Sequence, residues 1–150
     1  MEIVKANLNN LADVAQLFDA YRQFYDCPPD SELATQFIKE RMENSESDIF
    51  LALEEGLACG FVQLYPSFCS VQATKIYILY DLYVRESCRN AGIGEELMNR
   101  ASQWAMANKA TRLDLLTGNT NKIGQHLYEK LGYKRVHGDL YAYSLQLKSA

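Results

Sequence analysis

Apolar side chains near the start of the chain recur every three or four positions, a spacing that predicts an amphipathic helix. The residues on this apolar face are Leu11, Val14, Ala15, Phe18, Tyr21 and Tyr25. Pro28-Pro29 ends this helix, and Asp30 or Ser31 can cap a second one. The apolar residues of the second helix are Leu33, Phe37, Ile38 and Met42. The first part of the chain therefore predicts a pair of helices.

Shorter apolar runs in the middle of the chain predict strands. A predicted hairpin consists of the strands Ile49–Leu53 and Gly60–Tyr65. A polar loop is expected after them, at Pro66–Thr74. The next run, Lys75–Val84 (KIYILYDLYV), is the strongest strand signal because both of its faces are apolar. We therefore expect a central strand that is covered on both sides and interrupted by the charge of Asp81.

The second half of the chain predicts alternating helices and strands. In order these are a helix from about Ile93 to Asn108, a strand at Arg112–Thr117, a helix at Lys122–Lys130, and closing strands at Tyr133–Val136 and Leu140–Leu147. Gly132 follows the last helix, where glycine suits a left-handed helix end. This order predicts one mixed α/β domain over residues 1–150.

Composition and charge narrow the class of protein. The chain has 150 residues, 48% hydrophobic and 23% charged, which is typical of a globular protein and excludes disorder or a coiled coil. A net charge of −4 without any basic cluster disfavours nucleic-acid binding. The four cysteines and two histidines lack zinc-binding spacing, so no metal is expected. No apolar stretch is long enough for a membrane span and no signal peptide is evident, so we expect a cytoplasmic protein.

The segment Arg89–Gly94 (RNAGIG) lies between the predicted central strand and a long helix. Its glycines let backbone N–H groups converge on an anion at the helix N-terminus, and Arg89 can add a charge-assisted contact. A dinucleotide-binding fingerprint needs a third glycine where this chain has Leu97, and a P-loop needs Lys-Ser/Thr where it has Glu95-Glu96. The alternative is a tight strand-to-helix turn without a ligand.

Two motifs in this order resemble the GNAT superfamily of N-acetyltransferases. The first is the strand end Leu79–Val84 followed by RNAGIG and a helix. The second is Asn121, then Leu127–Tyr133 (LYEKLGY). The match covers roughly residues 75–136. It implies an α/β GNAT-type domain with a central, twisted, mixed sheet of six to seven strands and about four helices.

The resemblance also implies acetyl-CoA as cosubstrate and acetyl transfer to a primary amine by direct attack in a ternary complex. The backbone of Leu82, Tyr83 and Val84 would pair with the pantetheine arm. The pyrophosphate would be held by the Arg89 side chain and by backbone N–H groups of Asn90, Ala91, Gly92, Ile93, Gly94 and Glu95. Asn121 would hydrogen-bond the pantetheine or the adjoining backbone. Tyr128 would be the general acid that protonates the leaving thiolate.

The general base and the acceptor stay open. The local pattern is closest to the polyamine and small-amine branch of the family, which has a Glu before the strand Asp where this chain has Tyr80. The base or the acceptor contact is then Asp81 or Tyr80, which point to opposite faces of a regular strand unless a bulge intervenes. The acceptor would be a small amine or polyamine, with a peptide or protein amine as the alternative. Its candidate contacts, aromatic and acidic groups that suit a cation, are Tyr21, Tyr25, Asp26 and Tyr65.

Each assignment has a simpler alternative. Tyr128 is otherwise a packing residue, and Asn121 is otherwise a helix N-cap. The aromatic and acidic residues of the first helices are otherwise core and capping groups. Because Tyr80 stands where the polyamine and small-amine branch has a Glu, a non-catalytic acyl-CoA-binding or regulatory module is the alternative function. The aromatic segment Leu140–Leu147 suggests a homodimer contact.

Overall fold

In the computed structural model the strands and helices fall into two units, residues 1–116 and residues 117–150. The residues described are 1–136, 138 and 140–147. The elements of the first unit are β1 (Glu2–Lys5), α1 (Leu11–Phe24), α2 (Ser31–Glu43), β2 (Asp48–Glu54), β3 (Leu57–Cys69), β4 (Thr74–Val84), α3 (Ile93–Ala107) and β5 (Leu113–Leu115). The second unit contains α4 (Lys122–Lys130). The α/β class is confirmed, with five strands and four helices in the described part of the chain.

The sheet has the strand order β1-β2-β3-β4-β5. The pairs from β1 to β4 are antiparallel and β4 pairs with β5 in parallel, so the sheet is mixed, as expected. The parallel pairing joins only Tyr77–Leu79 to Leu113–Leu115. Beyond Leu79, β4 is paired with β3 on one side, and no described strand pairs with its other edge. The backbone of residues 80–84 therefore presents an open strand edge.

Helices cover both faces of the sheet, which explains why the central strands are apolar on both sides. Along β2, Ile49 and Leu51 pack in the core that α1 and α2 cover. The intervening Phe50 points to the opposite face, where its ring meets Trp104 of α3 at 5.7 Å between centroids. Phe50 is fully buried, and replacing a residue of this kind by alanine costs roughly 3–5 kcal/mol.

The first unit differs from the sequence-based expectation at two places. The strand β1 is not predicted from the sequence, because a four-residue strand is too short to show a clear alternation. The loop expected at Pro66–Thr74 is instead mostly strand, since β3 continues to Cys69 and β4 begins at Thr74. Pairing between β2 and β3 starts at Leu64, so Pro66 lies where β3 has only β4 as a partner. Proline is tolerated at such an edge because its missing N–H breaks no ladder.

In the second unit, α4 has the bounds that the sequence predicts. The closing strands predicted at Tyr133–Val136 and Leu140–Leu147 are absent: these residues make no strand pairing within the described chain. Alternation favours extended backbone, but a strand also needs a neighbour's backbone groups, and Tyr143 remains 94% exposed. The sheet therefore has fewer strands than the six or seven expected. The single domain over residues 1–150 stays a prediction, and no described helix is long and apolar enough to cross a membrane.

Candidate active site

A β-bulge interrupts the centre of β4 beside its charged residue. Gln63 of β3 pairs with Asp81, whereas the next residue, Leu64, pairs with Leu79, which leaves Tyr80 as the extra residue. Asp81 is 7% exposed and Tyr80 is 55% exposed. Bulges are frequent near active sites because they redirect side chains. The two candidates for the base therefore differ in environment, since the Asp81 carboxylate is buried and the Tyr80 ring is exposed.

Two hydrogen-bonding side chains surround the Asp81 carboxylate. The Gln63 amide donates a hydrogen bond from Nε2 to Oδ2 of Asp81. The Tyr21 hydroxyl of α1 donates to the Tyr80 carbonyl oxygen at 3.0 Å and also lies within hydrogen-bonding reach of Asp81. Burial raises the pKa of Asp81 to about 6, although the hydrogen bonds from Gln63 and Tyr21 act to lower it. The group is thus ionised at neutral pH but more basic than an exposed carboxylate.

Aromatic rings line the region around this carboxylate. Tyr65 of β3 meets Tyr80 edge to face at 5.4 Å, and Tyr21 meets Tyr25 at 5.1 Å. Burial, followed by the charge of Asp81, raises the pKa of Tyr65 to about 12. Of the four predicted acceptor contacts, Tyr21 and Tyr65 therefore lie beside Asp81, and Tyr25 packs against Tyr21.

The fourth predicted acceptor contact is Asp26, which lies outside the elements that form this cluster. It follows the end of α1, is exposed, and has a left-handed backbone with φ of 64°. The described contacts do not link its side chain to Asp81. The described contacts therefore do not place Asp26 beside Asp81, and among the candidates it adjoins Tyr25, its neighbour in the sequence.

The segment Arg89–Gly94 forms the turn into α3. Gly92 is the N-cap residue with φ of 77°, and as a glycine it provides no capping side chain of its own. A Cβ added at Gly92 would meet nothing within 4 Å, so open space lies in front of it. The buried side chain of Ile93 anchors the first helical turn, whose backbone N–H groups suit an anion. This geometry fits a pyrophosphate.

Arg89 and the end of β4 lie next to this turn. Arg89 donates from Nε to the Val84 carbonyl oxygen at 2.9 Å, and its guanidinium lies 5.6 Å from the Tyr83 ring centre. On the β3 side the backbones approach so closely that a Cβ at Gly60 would lie 2.7 Å from the Tyr83 carbonyl oxygen. The other edge of β4 is the open one. An open strand edge leading to an anion-binding turn fits the pantetheine and pyrophosphate of acetyl-CoA.

Asn121 and Tyr128 lie in the second unit. Asn121 caps α4, accepting a hydrogen bond from the Gly124 backbone N–H at 3.1 Å and donating one to Thr117 Oγ1 at 3.0 Å. Tyr128 is half-buried, with its ring centre 6.2 Å from that of Tyr133. Burial, with a smaller contribution from Tyr128, raises the pKa of Tyr133 to about 12. Asn121 is thus a helix N-cap, as its simpler alternative has it. The contact of Asn121 with the cofactor and the role of Tyr128 as general acid stay predictions.

Sequence reasoning missed Gln63 and Ser47. Gln63 is fully buried, and its Oε1 accepts a hydrogen bond from Ser47 Oγ at 2.7 Å. The signal in the sequence is one amide inside the apolar run Gly60–Tyr65, because a buried amide needs hydrogen-bond partners. Nothing in the sequence indicates that the partners are Asp81 and Ser47. In the described part of the chain, no three His, Cys, Asp or Glu side chains lie together as metal ligands.

Comparison with known proteins identifies the family. The model of the acetyltransferase (GNAT) family matches residues 12–133. The chain belongs to the GNAT family of acetyltransferases. This GNAT protein is 42% identical over 138 residues to the uncharacterized N-acetyltransferase YhfO of Bacillus subtilis, with 92% of this chain and 93% of YhfO covered.

Solved GNAT structures have the same fold as this chain. A crystal structure of a probable acetyltransferase has a TM-score of 0.90 and 36% identity, with all of both chains covered. An aminoglycoside N-acetyltransferase, AAC(6')-Iy, solved with CoA, has a TM-score of 0.81 at 17% identity, covering 95% of this chain and 93% of the other. The family resemblance, the α/β class and the assignment as an acetyltransferase enzyme are therefore confirmed.

Proposed function

We propose that this GNAT acetyltransferase transfers the acetyl group of acetyl-CoA to a primary amine of a small molecule, a small amine or polyamine, by direct attack in a ternary complex. The observation that carries the proposal is the position of Asp81. Its buried carboxylate lies among aromatic rings, at the point where the β4 edge becomes open. An amine site and a donor site therefore adjoin on one strand.

The aromatic cluster and Asp81 suit an ammonium group. The faces of Tyr21, Tyr65 and Tyr80 attract a cation, and the ionised carboxylate adds an opposite charge. The acceptor amine has an ordinary pKa of about 10.4, so it must lose a proton before it attacks. Asp81 accepts that proton directly or through one water. Because burial raises the pKa of Asp81 to about 6, it is a stronger base than an exposed aspartate.

The remaining groups act on the acetyl donor. Acetyl-CoA supplies a thioester, whose carbonyl oxygen gains negative charge when the amine attacks. A backbone N–H of Leu82 or Tyr83 stabilises that charge. The Tyr128 hydroxyl donates a proton to the leaving thiolate. Arg89 and the backbone of residues 90–95 bind the pyrophosphate, and Asn121 binds the pantetheine or the adjoining backbone.

A small-molecule acceptor is favoured over a peptide. The net charge of −4 attracts small cations, and the name of the fold neighbour, aminoglycoside N-acetyltransferase, supports a small amine-bearing acceptor. We also propose that the protein belongs to the polyamine and small-amine branch of the family, that it is cytoplasmic and that it forms a homodimer.

A panel of acceptors tests the proposal. The purified protein is mixed with acetyl-CoA and, in turn, a diamine, a polyamine, an amino sugar and a peptide with a free N-terminus. Release of the CoA thiol and the mass of the acetylated product are measured. We expect transfer to the small amines, well above the rate without protein. Transfer to the peptide alone would overturn the small-amine assignment. Binding of acetyl-CoA without transfer to any amine would favour the non-catalytic acyl-CoA-binding module.

A further inference from the structure

Gln63 is a primary amide in the centre of the sheet, and its side chain is fully buried. Burying an amide among apolar side chains is costly unless its donor and acceptor are both satisfied. Here both ends are used, since Ser47 Oγ donates to Oε1 and the amide nitrogen donates to Asp81. A continuous hydrogen-bonded chain therefore runs from Ser47, just before β2, across β3 to the bulged part of β4.

The order of donors in this chain selects one state of Asp81. An amide is nearly symmetric in shape, so its partners decide which end points where. In the structure the Ser47 hydroxyl donates to the amide oxygen, and the amide NH₂ group donates to Asp81. An ionised carboxylate only accepts hydrogen bonds, so this orientation matches the ionised form. Ser47 and Gln63 thereby favour the form of Asp81 that accepts a proton.

We propose that Gln63 and Ser47 are positioning residues for the acetyl transfer: Ser47 orients the Gln63 amide, and Gln63 holds the Asp81 carboxylate ionised and aimed at the acceptor site. This inference rests on the function proposed above. Gln63 has no exposed surface and so does not contact the amine itself. Its action is through Asp81, which lies directly opposite it in the sheet register.

Other polar groups near Asp81 come from each neighbouring element. Tyr21 of α1 hydrogen-bonds to Asp81, and Tyr65 of β3 lies close enough for their charges to interact. Arg41 of α2 and Glu46, which precedes β2, act on Tyr65 and form an ion pair with each other at 3.1 Å. The charge of Arg41 is thus already compensated. The direct hydrogen-bond partners of Asp81 in the described residues are Gln63 and Tyr21.

The test measures Asp81 directly and does not depend on catalysis. In Gln63→Met the side chain keeps its length and loses its donor. The Asp81 carboxyl resonance is titrated by NMR in the wild type and the variant. Because a hydrogen bond to a charged group is lost, we expect the Asp81 midpoint to rise by about one pH unit or more. The pH at which kcat/KM falls on the acid side of its profile should rise by the same amount.

Further variants separate positioning from packing. Ser47 lines an open groove of about 460 Å³, so Ser47→Ala leaves no sealed cavity and is expected to fold. Ser47→Ala should raise the Asp81 midpoint less than Gln63→Met does. Ser47→Thr keeps a hydroxyl donor, so its Asp81 midpoint should equal that of the wild type. Gln36→Met is the matched control, since Gln36 also donates to a carboxylate, Glu40 at 2.7 Å, but on the surface of α2. This control should leave Asp81 unchanged.

The outcomes distinguish the two proposals. An Asp81 midpoint that stays in place in folded Gln63→Met, or in Ser47→Ala if Gln63→Met does not fold, would overturn the positioning role. A lower rate at every pH with no shift on the acid side of the kcat/KM profile would also overturn it, because lost packing alone has that effect. If the Asp81 midpoint shifts in Gln63→Met but the wild type acetylates no amine, the proposed function is contradicted. The effect of Gln63 on Asp81 then still stands.

Discussion

The two ends of the candidate site are built in opposite ways. The turn at residues 89–94 is local: six consecutive residues form it, and it offers backbone N–H groups to an anion. The cluster around Asp81 is assembled over long sequence separations, with Tyr21 and Tyr80 hydrogen-bonded across 59 positions. The Asp81 carboxylate at its centre is buried, and the side chains of the cluster suit a cation. A site made of backbone can be found from a short motif, whereas a site made of distant side chains requires the fold.

One strand connects these two regions. Asp81 and Val84 are three residues apart on β4, which corresponds to about 10 Å along a strand. Val84 accepts the hydrogen bond from Arg89, and Asp81 accepts the one from the Gln63 amide. The strand therefore fixes the spacing between the turn at residues 89–94 and Asp81, the proposed base. Changes at either end should affect different kinetic constants.

The largest effect is expected from Asp81→Asn. The variant keeps the volume of the side chain but cannot accept the proton, so kcat should fall about a thousandfold at neutral pH. The affinity for acetyl-CoA, measured by calorimetry, should remain within about twofold, because the donor end is untouched. Equal loss of turnover and of donor affinity would break the division of the site into two regions.

Tyr128→Phe should lower kcat about a hundredfold, because only the proton donor to the thiolate is removed. Tyr133→Phe is the control, since it makes the same change on a neighbouring ring of the second unit. We expect the control to retain the wild-type rate. Turnover in Tyr128→Phe equal to that of the control would refute the role of Tyr128 as general acid.

The stability of the protein should depend on Asp81 in a defined pH window. Burial raises the pKa of Asp81 from 3.8 to about 6, so the folded state binds the proton more tightly than the unfolded chain does. The ionised group therefore destabilises the fold by roughly 3 kcal/mol above pH 6, and this cost disappears as the pH falls toward 4. Urea unfolding of the wild type and Asp81→Asn checks this: their difference should shrink on acidification. A difference independent of pH would show that Asp81 has an ordinary pKa.

The smallest effect concerns the anion-binding turn. Gly92→Ala places a side chain at φ of 77°, which costs about 1 kcal/mol of stability and should weaken acetyl-CoA binding about tenfold. Gly56→Ala is the matched control, because Gly56 has φ of 80° and equally open surroundings in the β2–β3 turn. Both variants should lose similar stability, and only Gly92→Ala should raise KM for acetyl-CoA. Equal KM values in the two variants would mean that the turn holds no ligand.

The contrast between the regions also explains what the sequence could predict. The turn at residues 89–94 and the bounds of α4 depend on glycine, capping and helical periodicity, which are local signals. Asp81 was also detectable, as a charge inside an apolar strand. The bulge at Tyr80 was not, because it depends on the register between β3 and β4.

Tertiary partners explain the remaining differences. Gln63 and Ser47 gain their importance only when β2, β3 and β4 are aligned, so sequence spacing does not reveal them. The segment Leu140–Leu147 shows the converse, since it alternates like a strand but has no strand partner among the described residues. Local patterns therefore predicted conformational preference, while pairing and burial decided the outcome.

The most direct test of the account is the pH dependence of amine acetylation by the wild type and Asp81→Asn, with saturating acetyl-CoA. The account predicts that kcat/KM of the wild type for a small amine falls as the pH drops through about 6, in step with protonation of Asp81. The residual activity of Asp81→Asn should lack this limb. The same limb in Asp81→Asn, or no acetyl transfer by the wild type, would contradict the account.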